Sequence, residues 1–311
     1  MLGILYEHPE WFELLFAELD RRKIPFCKIH AAELTYDPEA NALPGFLVNR
    51  MSPSAWKRGH TNAIFAVRDY LAHVEAAAVD VVNGSSAYAV EISKARQLDV
   101  LRACRVKYPR ARVFNHPNLA IKAATGLRFP IVVKPNIGGS GAGIVKFDSM
   151  EQLEAGASAL DLGVDGTGLV QEFLTTRGGF IVRVEILDGQ LLYAIRIFPD
   201  FQSFNLCPAD ICRTDDVTPI DLDVCPADAQ TKRGLRIEAA QAPQEAVDAA
   251  LALAELAQID VGGFEYLIDD RTGEINFYDI NALSNFVTDA VNVVGFDPTA
   301  RFVDYLERRM A

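Results

Sequence analysis

The stretch VVKPNIGGSGAGIVKF, residues 132–147, limits the possible fold more than any other part of this chain. It joins two β-branched runs through Gly138, Gly139, Ser140, Gly141 and Gly143. A dinucleotide-binding turn has its glycines between a strand and a helix, so that a pyrophosphate meets the helix amino end. Here the following GIVKF is β-branched and aromatic, which predicts a strand. A P-loop closes with Gly-Lys-Ser/Thr, and this loop does not. A glycine flap between antiparallel strands remains, with backbone N–H groups that approach phosphate oxygens because no Cβ intrudes. A plain surface hairpin is the competing reading. Lys134 ends the apolar run PIVVK just before the flap, where a point charge suits phosphate oxygens; the alternative is a solvated strand end.

Around this loop the chain alternates between strand-like and helix-like segments. LGILY (2–6), FCKI, GFLVNR and VDVVNG (79–84) read as strands, and residues 9–22 and 60–77 as helices. That alternation predicts a parallel sheet with helices on its faces over the first 90 or so residues. A helical run at 89–106 bridges to the next unit. After it the pattern turns strand-rich: ARVFN, PIVVKP, IVKF, GLVQEFL, GFIVRVEIL and QLLYAIRIF, with DGQ as a tight turn before the last. Residues 199–240 read as polar and irregular, 243–258 as an amphipathic helix, GGFEYLID and EINFYDIN as a hairpin, and the tail as a helix.

The chain has 311 residues, half of them apolar, and a net charge of −12. That field disfavours nucleic acid as a partner. No run approaches the roughly 18 uncharged apolar residues of a membrane span, and the acidic start does not resemble a signal peptide. The five cysteines form no CxxC pair, which fits reduced thiols and a cytoplasmic setting. Zinc on Cys207, Cys212 and Cys225 is the rival reading, disfavoured by irregular spacing.

The carboxy-terminal hairpin supplies a second chemical signal. Glu265 stands amid apolar residues, and Asp279 and Asn281, two apart on a strand, share a face. Three oxygen donors on paired strands suit Mg²⁺, and a carboxylate in such surroundings is costly unless paired or metal-bound. Ordinary hairpin polar residues are the alternative. In the amino unit, Arg50, Arg58 and His60 follow a predicted strand end, where ligands of open α/β sheets gather, and are candidates for gripping a substrate carboxylate. A solvated basic turn is the other reading, and Ser85, Ser86 and Tyr88 mark a second, weaker edge.

Taken together, the flap, Lys134 and the hairpin resemble the ATP-grasp superfamily, and within it the RimK-type and glutathione-synthetase-like ligases, over about residues 80–295. The resemblance implies an α/β (α+β) ATP-grasp fold with an amino-terminal Rossmann-like pre-ATP-grasp domain. The implied boundaries are 1–92, 93–165 for the flap subdomain and 166–311 for the large subdomain. It implies a nucleotide site of Lys94, Lys134, Gly139, Ser140, Gly141 and Arg183, with adenine at the hinge Gln171–Glu172–Phe173–Leu174 and Glu172 accepting from its amino group. It implies Arg196, Lys134 and Asn205 as the catalytic set near the transferred phosphate, and Glu265, Asp279 and Asn281 as ligands of two Mg²⁺ ions, with Mn²⁺ as a substitute. Asp279 stands where the family usually has Glu, and no acidic residue follows the hinge to contact ribose. The implied activity joins a small-molecule carboxylate to an amine, an amino acid or peptide, through an acyl phosphate, with release of ADP and phosphate. A small-molecule kinase on the same fold and a non-catalytic nucleotide-binding module are the rival readings, and a homodimer is left open.

Overall fold

The computed structural model describes residues 1–39, 42–139, 141–198 and 236–311. Ser140, Asn205 and the three cysteines at 207, 212 and 225 lie outside the described residues.

The first unit is a parallel sheet. β1 (Leu2–Tyr6), β2 (Phe26–His30), β3 (Phe46–Arg50) and β4 (Asp80–Val82) are ordered β2-β1-β3-β4, with every pair parallel. The helix predicted at 9–22 is a 3₁₀ turn, Pro9–Phe12, followed by α1 (Glu13–Arg21). Helix α2 (Thr61–Ala76) buries Ala63, Ile64, Val67, Tyr70, Leu71 and Val74, the three-and-four spacing of a helix face turned to a sheet.

The predicted bridge at 89–106 is two helices, α3 (Ser85–Glu91) and α4 (Lys94–Ala103). Ser93 breaks the run because its hydroxyl caps α4, accepting from the Arg96 N–H. Asn136 fixes the same corner: its carbonyl accepts from the Lys94 N–H at 3.3 Å and its Oδ1 from the Ala95 N–H at 2.9 Å. The start of α4 is therefore tied to the end of the strand that carries Lys134.

The second sheet is antiparallel: β5 (Ala111–Phe114), β6 (Ile131–Pro135), β7 (Val145–Phe147) and β8 (Gly168–Glu172), ordered β5-β8-β6-β7. Helices α5 (Ala120–Ala124) and α6 (Met150–Gly156) cover one of its faces around Phe114, Ile131, Val133, Phe147 and Val170. The third sheet, also antiparallel, holds β9 (Ile181–Leu187), β10 (Gln190–Phe198), β11 (Arg236–Ala240), β12 (Val261–Ile268) and β13 (Ile275–Asn281) in the order β11-β10-β9-β12-β13. Residues 236–240, expected to be irregular, thus add an edge strand. Helix α7 (Gln244–Ala257) packs on one face of this sheet. The other face shares a core with the amino unit, with α1 and with the last helix, α9 (Pro298–Met310); the short α8 (Ala290–Val294) precedes it.

Candidate functional site

The register of the third sheet builds the floor of a cleft. Arg183 on β9 pairs with Glu265 on β12, which pairs with Asp279 on β13, so the three stand in one row on one face. The next row is Glu185, Gly263 and Asn281. Gly263 is required here: a Cβ at that position would lie 2.3–2.4 Å from the Arg183 guanidinium. Arg183 lies across the gap, donating to Glu185 at 2.5 Å and to Glu265 at 3.0 Å. A bulge after Glu265 brings the Tyr278 hydroxyl to the second Glu265 oxygen at 2.8 Å. Lys94, held by the α4 corner, reaches Asp279 at 2.8 Å.

These contacts set the charge states. Burial, reinforced by the nearby Asp279, pushes the Glu265 carboxyl up despite Arg183. Burial also acts against the Asp279 carboxylate, but the charges of Lys94 and Lys134 outweigh it and hold the group down. Lys134 is buried with no hydrogen bond among the described residues; burial and the neighbouring Lys94 push its ammonium down to about 7, with Asp279 opposing.

The second sheet forms the roof. Val132 and Lys134 both line the cleft. Their cross-strand partners are Gln171 and Leu169 on β8, and Lys146 on β7 lies opposite Val132, so these side chains share the cleft face. Gln171 Oε1 is buried with no hydrogen-bond partner among the described residues. Glu172, paired with the core residue Ile131, points to the opposite face; its carboxylate accepts from the Arg128 N–H at 3.0 Å, with the Arg110 and Arg128 guanidinium groups at 3.5 Å. Gln171 rather than Glu172 therefore faces the cleft. Phe173 lies 5.2 Å from the Lys146 ammonium and Leu174 is buried in the core. The flap closes on the amino unit: a Cβ on Gly139 would stand 2.8 Å from that of Ser54, and Gly141 lines the cleft beside it. The cavity so enclosed measures about 100 Å³.

Arg196 needs correction. It pairs with Val182 and Glu238, one residue out of step with Ile195, which pairs with Arg183. The two-residue period puts it on the face under α7, where it stacks on Phe180 at 4.9 Å. The cleft arginine is Arg183. Arg50 and Arg58 have partners other than a substrate. Arg50 is buried, its guanidinium lying between the Phe12 and Phe302 rings at 5.3 and 5.5 Å and donating to the Ser284 carbonyl. Arg58 donates to Glu7, His60 Nδ1 lies 2.5 Å from the same carboxylate, and Arg58 also reaches Ser54. Burial acts against the Glu7 charge, yet the hydrogen bonds from Arg58 and His60 hold its carboxyl below the usual range. Ser85 bonds Glu75 and the Tyr88 hydroxyl donates to the Ile64 carbonyl at 3.0 Å, so both serve the fold.

Several cleft residues escaped the sequence reading. Glu185 was legible as the charged alternate of VRVEI, and Lys146 as that of IVKF. Glu91 was not, because only the fold sets it against the Ala282 and Leu283 N–H groups at 2.5 and 3.3 Å, where burial pushes its carboxyl up to about 7. Asn285 Oδ1, also in the cleft wall, is buried without a partner.

A glycine flap over a lysine-bearing antiparallel sheet, facing a carboxylate-rich strand pair across a cleft, defines an ATP-grasp fold. Residues 92–206 match the RimK-like ATP-grasp domain family. Segments of D-alanine–D-alanine ligases also match: 37% identity over 86 residues for the Haemophilus influenzae enzyme and 38% over 79 for that of Haemophilus ducreyi. These matches span about a quarter of each relative's length, 27% and 25%, and 28% and 25% of this chain. Among solved structures, the ATP-grasp ligase PsnB complexed with a minimal precursor superposes with a TM-score of 0.65 at 20% identity, covering 99% of this chain and 98% of that one. The Bacillus anthracis D-alanine–D-alanine ligase gives 0.66 at 16% identity, covering 99% and 96%. Identities this low carry the fold alone.

Proposed function

We propose that the protein is an ATP-dependent carboxylate–amine ligase that works through an acyl phosphate and releases ADP and phosphate. The observation that carries this reading is the meeting of Lys94, Lys134 and Arg183 with Glu265, Asp279 and Asn281 in one flap-covered cleft. The unit boundaries proposed with it are 1–92, 93–165 and 166–311.

Gln171, with its free acceptor, orients the adenine amino group, and Lys134 and Lys146 lie on the phosphate-bearing face. Glu265, Asp279 and Asn281 offer only oxygen donors, the set that Mg²⁺ takes together with phosphate oxygens. Three protein donors leave the rest of an octahedral Mg²⁺ shell to phosphate oxygens and water. Two ions, with Mn²⁺ as a substitute, belong to this proposal. When bound, Mg²⁺ neutralises charge on the β- and γ-phosphate oxygens.

A substrate carboxylate oxygen attacks the γ-phosphorus, and the bond to the ADP oxygen breaks. The amine nitrogen then attacks the acyl carbon, phosphate leaves with the electron pair, and the amine loses a proton. Lys134 and Arg183 stand where negative charge accumulates on the transferred group. The flap, seated on Ser54, excludes water that would hydrolyse the acyl phosphate. The chain's likeness to D-alanine–D-alanine ligases and to PsnB complexed with a precursor supports an amino acid or peptide as substrate, and a homodimer remains part of the proposal.

The test is ADP release with Mg²⁺ across a panel of amino acids and short peptides. Release that depends on both a carboxylate and an amine, with an amide product by mass spectrometry, is the expected result. A phosphorylated product stable to hydroxylamine would replace ligation by phosphoryl transfer to a hydroxyl.

A further inference from the structure

Residues 100–147 contain nine lysines and arginines and no aspartate or glutamate. Taking those nine positive charges from the net −12 leaves −21 on the rest of the chain. Seven of the nine, from Arg102 to Arg128, are exposed; the other two are Lys134 and Lys146 on the cleft face. Contacts tie Arg110, Arg112 and Arg128 to the outer rim of the nucleotide end, while Arg105 and Lys107 lie against the large sheet unit beside Glu274. Arg110 and Arg128 both stand 3.5 Å from Glu172, the neighbour of Gln171 and Phe173. Arg112 donates to the Ala123 carbonyl at 2.9 Å, beside Lys122.

Part of this charge is paired: one buried carboxylate, Glu172, serves Arg110 and Arg128, and Lys107 bonds Glu274. Arg102 and Asp99 are 3.7 Å apart with side chains 72% and 76% exposed, a pair of small worth in water. Arg105 and Lys122 have no ion-pair partner among the described residues.

We propose that the basic outer face of the small sheet unit is a capture surface for the nucleoside triphosphate, drawing it to the cleft mouth and inward to Lys146 and Lys134. The proposal rests on the nucleotide-binding reading above. A local field of one sign beside a cleft raises on-rates without adding contacts in the bound state. The signature is therefore in the association rate, and it is screened by salt.

The experiment is stopped-flow binding of a fluorescent N-methylanthraniloyl ATP with Mg²⁺, in the full chain. The wild type is compared with a double variant, Arg112→Gln and Lys122→Gln, both exposed on the small sheet unit and outside the cleft lining. Between roughly 0.01 M and 0.3 M salt the wild-type association rate should fall about tenfold or more, with the dissociation rate changed less than about twofold. At low salt the variant should associate about threefold more slowly or worse, and the two proteins should converge at high salt. Equal association rates for both proteins at low salt, with binding intact, would overturn the capture role while leaving the nucleotide site standing; the patch would then suit an acidic macromolecule instead. Absence of binding at every salt concentration would remove the nucleotide reading and the capture role with it.

Discussion

Lys134 shows how one side chain trades stability for binding. Its ammonium is buried without a hydrogen bond among the described residues, and the folded state holds it at about 7 instead of the ordinary 10.5. A depressed lysine destabilises the fold in full below about 7, and the penalty fades as pH rises towards 10.5. Lys134→Met keeps the apolar stem and removes that penalty. Its melting temperature should match or exceed the wild type at pH 6, and the gain should shrink towards pH 10. Nucleotide affinity should fall about tenfold or more, since a charge-assisted contact is worth roughly 1.5–3 kcal/mol. A loss of melting temperature with unchanged affinity would make Lys134 structural. Phosphate oxygens near this ammonium also restore its proton. At pH 8, calorimetry in two buffers of different ionisation enthalpy should show proton uptake on nucleotide binding, approaching one proton. No uptake would separate Lys134 from the phosphates.

At the scale of elements, the cleft floor depends on two strands leaving a gap for a third. Arg183 lies over Gly263 between two carboxylates, all nearly free of solvent. Gly263→Ala forces the guanidinium off its seat and leaves Glu185 and Glu265 buried with weakened partners. Overpacking and a disturbed buried ion pair together cost about 3 kcal/mol or more, read by urea unfolding. Since Glu265 is also a proposed metal donor, Mg²⁺-dependent nucleotide affinity should fall in the same variant. A variant with wild-type stability would mean that Arg183 adapts, and that the row geometry is not what holds the site. The strand period also explains the Arg196 error. FIVRVEI and YAIRIF each carry an arginine, but antiparallel register decides which one faces the cleft, and a one-residue offset sends the side chain to the other face.

At the scale of the whole molecule, the amino unit is fastened to the large sheet at the ends of its strands. Asn83, after β4, donates to the Val261 and Ala282 carbonyls at 2.7 and 2.6 Å and accepts from the Asp260 N–H at 2.8 Å. Arg50, at the end of β3, bonds the Ser284 carbonyl between aromatic rings of the amino unit and α9. Arg50→Lys keeps the charge but loses the planar stack. It should lower stability by about 2 kcal/mol in urea unfolding, with nucleotide affinity unchanged. Unchanged stability, with a raised KM for a carboxylate substrate, would return Arg50 to the substrate pocket.

Local pattern alone was enough to determine much of this protein. The glycine flap between β-branched runs, the lysine before it, and the period-two placement of Asp279 and Asn281 each depend on neighbours within a few residues, and such features can be read along a chain. The ATP-grasp architecture followed from those segments in combination. The tertiary structure decided everything that depends on which strand lies beside which, and in what register. That includes Arg183 over Arg196, Gln171 over Glu172, the capture of Arg58 by Glu7 just beyond β1, and Glu91 under the loop after β13. These choices turn on pairings between residues up to 192 positions apart, where burial and charge are set by partners the local sequence does not name.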